Sequence, residues 1–305
     1  MEVLITGATG FVGRAVARRL GRAGHVLRAL VRNPASAPAQ ELAQSSAVRL
    51  FAGDVLDPDA VNRAAAGTQA VVHLVGIIRE CGRQTFENLH VRATEHVLAA
   101  ARTGGAQRFV HISALGTRPQ ARSRYHQTKW EAEERVRRSG LTWSILRPSL
   151  IYGPGDQFMN RFDRMARFSP VLPLIGRRDA RFQPVAVDIV AQCVEAALTS
   201  PQAEGRTLDV CGPERLTLAE MLEVLLEVTG RRRWLCPVPG GVARTLATVL
   251  ERVYPALLRR PPPLNRDQLL MLEEDNVGDP APMTRLIGTS GPTLREGLKT
   301  WLGRR

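Results

Sequence analysis

The apolar run at 2–6 passes through Thr6-Gly7-Ala8-Thr9-Gly10-Phe11-Val12-Gly13 straight into a helical pattern, and no other stretch restricts the fold as much. Glycines spaced GxxGxxG behind a strand permit a sharp turn at Gly7, a close backbone approach at Gly10 and tight helix-on-sheet packing at Gly13. The turn, completed by Thr9, Phe11 and Val12, leaves the unpaired N–H groups of the next helix facing outward. These groups and the helix dipole favour a pyrophosphate.

The rest of the first half follows the same rule. Strand-length apolar runs near 2–6, 26–31, 48–52, 70–75, 108–112 and 142–146 alternate with helical patterns near 11–23, 36–45, 57–66, 85–103 and 123–139. This alternation predicts an α/β fold with a doubly wound parallel sheet of the Rossmann type. After Arg147-Pro148 the alternation stops, and Gly153-Pro154-Gly155 marks the change. We read 1–155 as a dinucleotide-binding domain and 156–305 as a smaller, mainly helical substrate or partner region. The two are interleaved, because a strand near 207–210 is expected to return to the main sheet. In the second region helices are expected near 157–168, 188–199 (capped by Asp188), 217–229, 240–259, 266–274 and 293–302, with a Pro-rich link at 170–173. A cleft between the regions is the expected ligand site.

The formal net charge of +13 points to acidic partners, yet the arginines are scattered and no nucleic-acid motif accompanies them. Nucleic acid is therefore not an expected partner. No apolar run reaches membrane-spanning length, the best being 70–78. A strand starting at residue 2 leaves no room for a leader and predicts a cytoplasmic protein, with peripheral contact to an inner membrane left open. Cys81, Cys193, Cys211 and Cys236 form no CxxC pair and lack metal-ligand spacing, so buried free thiols and no metal are expected.

The second strand ends in Leu30-Val31-Arg32-Asn33-Pro34, without an acidic residue to bind the adenosine ribose of NAD. Arg32 offers instead a charge-assisted contact to the 2′-phosphate of NADP, so NADP(H) is expected ahead of NAD(H). After the third strand, Asp54 and Val55 stand where an adenine amino group would lie. Asp54 has the alternative of capping the helix that begins near Pro58.

Of the 42 basic side chains, only Lys129 and Lys299 are lysine. Where arginine is the rule, lysine at 129 marks a position that needs a compact ammonium. It stands four residues after Tyr125, on one helix face. A cation beside a phenol favours the phenolate and brings Tyr125 towards acid/base work near neutral pH. The planar fork of arginine would not serve a phenol and a ribose hydroxyl together.

With the Gly-rich turn, a strand ending in Ile112-Ser113-Ala114, and Tyr125-x-x-x-Lys129 on the next helix, the chain resembles short-chain dehydrogenases/reductases of the extended type. The resemblance implies Tyr125 as the acid/base, Lys129 as the group that holds the nicotinamide ribose, and Ser113 as the donor to the substrate oxygen. The segment 147–155 resembles the nicotinamide-side loop of that family, implying cofactor contacts from Pro148, Ser149 and Ile151. A closer resemblance covers most of the chain. It rests on His73-Leu74-Val75-Gly76-Ile77-Ile78, on 109–116 and 181–185, on Leu264-Asn265-Arg266-Asp267-Gln268 and on Asp275-Asn276-Val277. These are similar to the atypical subgroup that includes the nucleotide-binding accessory subunit of respiratory complex I and its bacterial relatives, which implies cofactor contacts from Leu74, Val75 and Gly76. His90 stands where extended members often carry the Asn of a proton relay. It is either a relay group or a helix-face histidine near the cofactor.

The expected function is NADP(H)-dependent oxidation or reduction of an unidentified small or lipid-like carbonyl or alcohol. A non-catalytic NADPH-binding accessory or assembly protein of respiratory complex I or quinone metabolism is the first alternative, and a nucleotide-sugar epimerase or dehydratase the second. Val242, Leu246, Val249, Leu250, Val253, Leu257 and Leu258, flanked by Arg244, Arg252, Arg259 and Arg260, form a basic amphipathic stretch that either meets a membrane or partner, or covers the substrate cleft or packs into the C-terminal region. His73 and His111 are expected to be satisfied core histidines. Glu131, Glu133 and Glu134 with Arg135, Arg137 and Arg138 read as a solvated helix face.

Overall fold

The computed structural model describes residues 1–258 and 261–303. Its first half runs β1 Glu2–Thr6, α1 Phe11–Arg22, β2 Val26–Val31, α2 Ala37–Ala43, β3 Val48–Ala52, α3 Pro58–Ala65, β4 Ala70–His73, α4 Ala93–Thr103, β5 Arg108–Ile112, α5 Arg124–Arg137 and β6 Thr142–Pro148. Val3, Leu4 and Ile5 of β1 and Val71 and Val72 of β4 are completely buried, as strands covered on both faces must be. The helix expected over 85–103 differs in one respect. It opens with a turn, Glu87–Arg92, widened to i→i+5 bonding, in which Ala93 N–H reaches Asn88 O. Such turns are rare and concentrate at functional sites. This one holds His90.

The second half contributes β7 Ile151–Tyr152, α6 Met159–Phe168, β8 Val171–Leu174, β9 Arg181–Phe182, β10 Val185–Ala186, α7 Val187–Thr199, β11 Arg206–Val210, β12 Leu216–Thr217, α8 Leu218–Val228, β13 Trp234–Pro237, α9 Gly240–Val253, α10 Arg266–Leu272, α11 Ala281–Ile287 and α12 Leu294–Lys299. The stretch expected as a Pro-rich link is strand β8, paired in parallel with β13. Pro173 is tolerated there because a strand in a two-stranded ribbon has one edge that needs no donor. Asp188 does not cap α7. Ala186 occupies the cap, and Asp188 lies within the first turn, where its charge complements the dipole. Helix α9 ends at Val253 and gives way to a widened turn, Tyr254–Leu258, containing Pro255. Arg259 and Arg260 lie outside the described residues.

Seven parallel strands form the main sheet in the order β3-β2-β1-β4-β5-β6-β11. Helices α1 and α7 cover one face through Val16, Leu20, Val190 and Val194. Helices α3, α4 and α5 cover the other through Val61, Val97 and Val136. A third core, with Met159, Leu172, Met221, Leu225 and Leu298, organises the C-terminal region. The strand order reverses between β1 and β4, which opens a crevice at their carboxyl ends.

Candidate active site

The Gly-rich turn sits at that crevice. Gly7 has φ +80°, and a side chain on it would come within 3.0 Å of the Leu74 carbonyl carbon. Gly10 N–H donates to Gly7 O at 3.0 Å, and a Cβ on Gly13 would lie 2.1 Å from the same oxygen. Gly10 caps α1 without any side-chain acceptor, so the first turn keeps donors for an anion, as a pyrophosphate requires. Thr9, Phe11 and Val12 are half-buried around the turn. A side chain on Gly153 would meet the Phe11 ring at 3.4 Å, so the loop at 147–155 lies against the turn. The same loop approaches Arg14, whose Nη2 would be 3.4 Å from a side chain on Gly155. Arg14 was not singled out from the sequence. Its spacing from Gly10 was a signal, but one lost among so many arginines.

Arg32 follows β2 and is exposed, with no ion pair among the described residues. Asp54 is also exposed and accepts from Leu56 N–H at 2.9 Å. It does not cap α3. Asp57 does, accepting from Asp59 and Ala60. Val55 is buried, and its carbonyl meets His96 Nδ1 at 3.3 Å. Half-buried Leu74 and Val75 and exposed Gly76 lead away from β4.

Ser113 follows β5, and Tyr125 and Lys129 occupy successive turns of α5. Ser123 caps that helix by accepting from His126 N–H at 3.2 Å. Lys129 is buried, and its Nζ donates to Ile112 O at 2.9 Å. Burial lowers its pKa to about 8, opposed by the Glu133 carboxylate. A side chain on Gly76 would stand 3.1 Å from Lys129 Nζ and 3.8 Å from His90 Nε2, so only a glycine leaves that ammonium approachable from the β4 side. Ser113 Oγ lies 3.4 Å from Thr117 Oγ1.

The Tyr125 ring packs edge-on against Phe86, His90 and His126, at centroid distances of 5.9, 5.3 and 5.2 Å. Ala114, next to Ser113, and Met271 of α10 join this cluster. Here the sequence expectation is corrected. Burial, reinforced by the Asp267 carboxylate, pushes the phenol above its ordinary pKa, and Lys129 points its proton at a backbone carbonyl rather than at the phenol. Desolvation outweighs the neighbouring cation.

His90 is braced on both ring nitrogens. Nε2 accepts from Ile77 N–H at 3.2 Å, and Nδ1 meets Thr128 Oγ1 at 2.9 Å. Nε2 also lies 3.1 Å from Ile77 O, so both ring nitrogens are engaged in either tautomer. Burial first, then Lys129, holds the ring neutral, well below the ordinary histidine range. His73 is satisfied by Thr6 Oγ1 at 2.6 Å and Thr94 Oγ1 at 3.2 Å, and burial lowers its pKa to about 3. His111 is not satisfied. It stacks on His73 at 5.5 Å, and among the described residues both its nitrogens lack partners.

Glu133 also departs from expectation, since it is completely buried rather than solvated. Its carboxylate accepts from Arg147 Nε at 2.8 Å and Nη2 at 2.6 Å, and from Arg137 Nη2 at 2.5 Å. In the 147–155 loop, Pro148 O accepts from Leu115 N–H at 2.8 Å and Ile151 is half-buried. The Ser149 hydroxyl is committed to Asn276 Oδ1 at 2.6 Å, and Asn276 Nδ2 donates to Leu115 O at 3.1 Å. Cys193 and Cys211 are buried with pKa values raised to about 12, whereas Cys236 is exposed and Cys81 half-buried, contrary to the expectation for all four. Among the described residues no His/Cys/Asp/Glu cluster suits a metal ion, and no helix is long and apolar enough to cross a membrane.

Residues 7–160 match a protein-family model described as NAD(P)H-binding. The chain is 33% identical over 249 residues to a ceramide reductase of Caulobacter vibrioides, covering 82% of this chain and 77% of that protein. It is 30% identical over 294 residues to a 2-alkyl-3-oxoalkanoate reductase of Stenotrophomonas maltophilia, covering 87% of each. It is 28% identical over 285 residues to the mitochondrial NADH dehydrogenase (ubiquinone) 1 alpha subcomplex subunit 9 of Arabidopsis thaliana, covering 90% of this chain and 70% of that one. An NADPH-dependent quinone oxidoreductase of Escherichia coli, solved with NADPH, shares the fold with a TM-score of 0.76 at 20% identity, covering 98% of this chain and 99% of that one.

Proposed function

The chain belongs to the NAD(P)H-binding family of short-chain dehydrogenase/reductase type, and from that premise we propose that it is an NADPH-dependent reductase of a lipid-like carbonyl compound. The observation that carries this reading is the buried Lys129 ammonium beneath Gly76, with Tyr125 one helical turn away on the same face. Two of the relatives above are named as reductases of ceramide and of a 2-alkyl-3-oxoalkanoate, which supports a substrate with long alkyl chains.

Bound NADPH supplies the hydride. The turn at Gly7, Gly10 and Gly13 with Arg14 would hold the pyrophosphate, Arg32 the 2′-phosphate and Lys129 the nicotinamide ribose. Ser113 donates a hydrogen bond to the carbonyl oxygen, and Tyr125 delivers its proton there. Burial keeps the phenol protonated, so the proton that a reduction needs is present on it. His90 braces the helix beneath it.

The test is NADPH oxidation with ketones bearing long alkyl chains and with their short-chain counterparts. Tyr125→Phe is expected to lower kcat at least about 100-fold while leaving NADPH affinity intact. Unchanged turnover would overturn the assigned mechanism.

A second reading, retention of NADPH in an accessory or assembly protein, is favoured by the walling of Tyr125 behind Phe86, His126 and Met271 and by the likeness to the complex I subunit along 90% of this chain. Native mass spectrometry decides between them. Rapid exchange of a co-purified nucleotide supports the reductase, and a nucleotide that fails to exchange supports the accessory role.

A further inference from the structure

Helix α9 is apolar on two sides. Ala243 and Ala247 face inward against Ile175, Val238 and Leu269. Val242, Leu246, Val249 and Val253 recur at helical spacing on another side, and all are at least 41% exposed. Leu257 and Leu258 continue the exposed row into the following turn. These six are more than half of the eleven large apolar side chains exposed among the described residues, so the exposure is concentrated rather than scattered.

We propose that this face docks the protein on an anionic lipid bilayer. The stretch 240–260 carries Arg244, Arg252, Arg259 and Arg260 against Glu251 alone, a formal charge of 4 − 1 = +3, within a chain of net charge +13. Glu251 is already taken by Arg266, at 2.7 Å from both its backbone N–H and Nε, and Arg244 stands 3.7 Å from Glu273, which leaves Arg252 without an ion pair among the described residues. An aliphatic row with charge of one sign beside it fits a flat anionic surface. A second copy fits poorly, because pairing this face about a two-fold axis would set like-charged 240–260 segments against each other. Helix α9 packs on α10 through Leu269, and α10 supplies Met271 and Asp267 around Tyr125. Docking on α9 therefore brings the bilayer next to the helix that packs around Tyr125. The value of that to a lipid-like substrate rests on the function proposed above, but the docking itself does not.

The experiment is flotation of the full chain with phosphatidylcholine vesicles, with and without phosphatidylglycerol. The wild-type protein is expected to float with the anionic vesicles and to be released by salt. The double variant Leu246→Glu/Val249→Glu is expected to partition at least about tenfold less, with NADPH binding unchanged. Arg252→Glu is expected to weaken partitioning and its salt dependence together. Failure of the wild type to float, or equal flotation of the double variant, overturns the proposal. So does a wild-type dimer in sedimentation that the double variant converts to monomer, which would assign the face to self-association. NADPH binding, read separately, keeps failure of docking distinct from failure of the reductase assignment.

Discussion

Asp267 of α10 caps the helix that carries Tyr125, its two carboxylate oxygens accepting Arg124 N–H at 2.7 Å and Tyr125 N–H at 3.1 Å. Asp267 is itself held in the first turn of α10, which starts with a reciprocal Asn265/Gln268 cap. Asn265 Nδ2 reaches back to Ile78 O at 3.3 Å. The C-terminal region thus fixes both the segment beyond β4 and the start of α5, and places a negative charge near the phenol.

Asp267→Asn keeps one acceptor and removes the charge. It is expected to cost about 0.5–2 kcal/mol of stability, read as a lower midpoint in urea unfolding. An unchanged midpoint would contradict the cap.

Gly76→Ala sets a methyl group 3.1 Å from Lys129 Nζ. NADPH affinity is expected to fall about tenfold, ~1.4 kcal/mol, with little change in melting temperature because residue 76 is exposed. Fluorescence titration beside thermal melts checks both halves, and a loss of stability without loss of affinity would refute the assignment of this edge to the cofactor.

Glu133→Gln leaves the Arg137 and Arg147 guanidinium groups without their shared carboxylate. A loss of about 3–5 kcal/mol is expected in urea unfolding. The pKa of Lys129 should fall further once the charge that raises it is gone, so NADPH binding should weaken at a lower pH than in the wild type.

Burial lowers the pKa values of His73, His90, His111 and His126, to about 3 for His73 and about 4 for His126. The unfolded chain takes up these protons near 6.5, and the folded chain only at much lower pH. Between those limits the unfolded state binds more protons, so stability falls as pH falls, by up to ~1.4 kcal/mol per pH unit for each histidine, with no such loss above 6.5. His111→Phe removes two unpartnered nitrogens and one of the titrations. It is expected to stabilise the protein more at about pH 5 than at about pH 7.5. Urea midpoints at the two pH values decide, and equal gains would contradict the neutral burial of His111.

Arg32→Asp is expected to weaken NADPH binding by more than tenfold, about 1.4 kcal/mol, and to spare or improve NADH binding. Parallel titrations with the two nucleotides provide the check. A loss shared equally by both would place the 2′-phosphate contact elsewhere.

The main-sheet strands and the Gly-rich turn were legible because a parallel strand must be apolar on both faces and a pyrophosphate turn tolerates side chains at so few positions. Tyr125 and Lys129 were legible as one helix face, and Glu133 continues that face at the same spacing. It was misread because its partner Arg147 comes from β6, and neighbouring charges in sequence suggested solvent. The raised Tyr125 pKa was not legible either. It depends on Phe86, His126 and Met271, which meet only in the folded chain. The two-residue strands escaped because segments so short carry no periodicity.

Strand β11 pairs with β6 in register from Arg206–Ser144 to Val210–Pro148, although nearly sixty residues of other structure intervene. On a ribosome, β6 emerges well before its neighbour, and until residue 210 has followed it this strand stands as an open edge. The nucleotide-binding sheet therefore closes only after much of the C-terminal region has been synthesised. A fragment stopped at 155 would carry every glycine of the turn and still expose a template for aggregation.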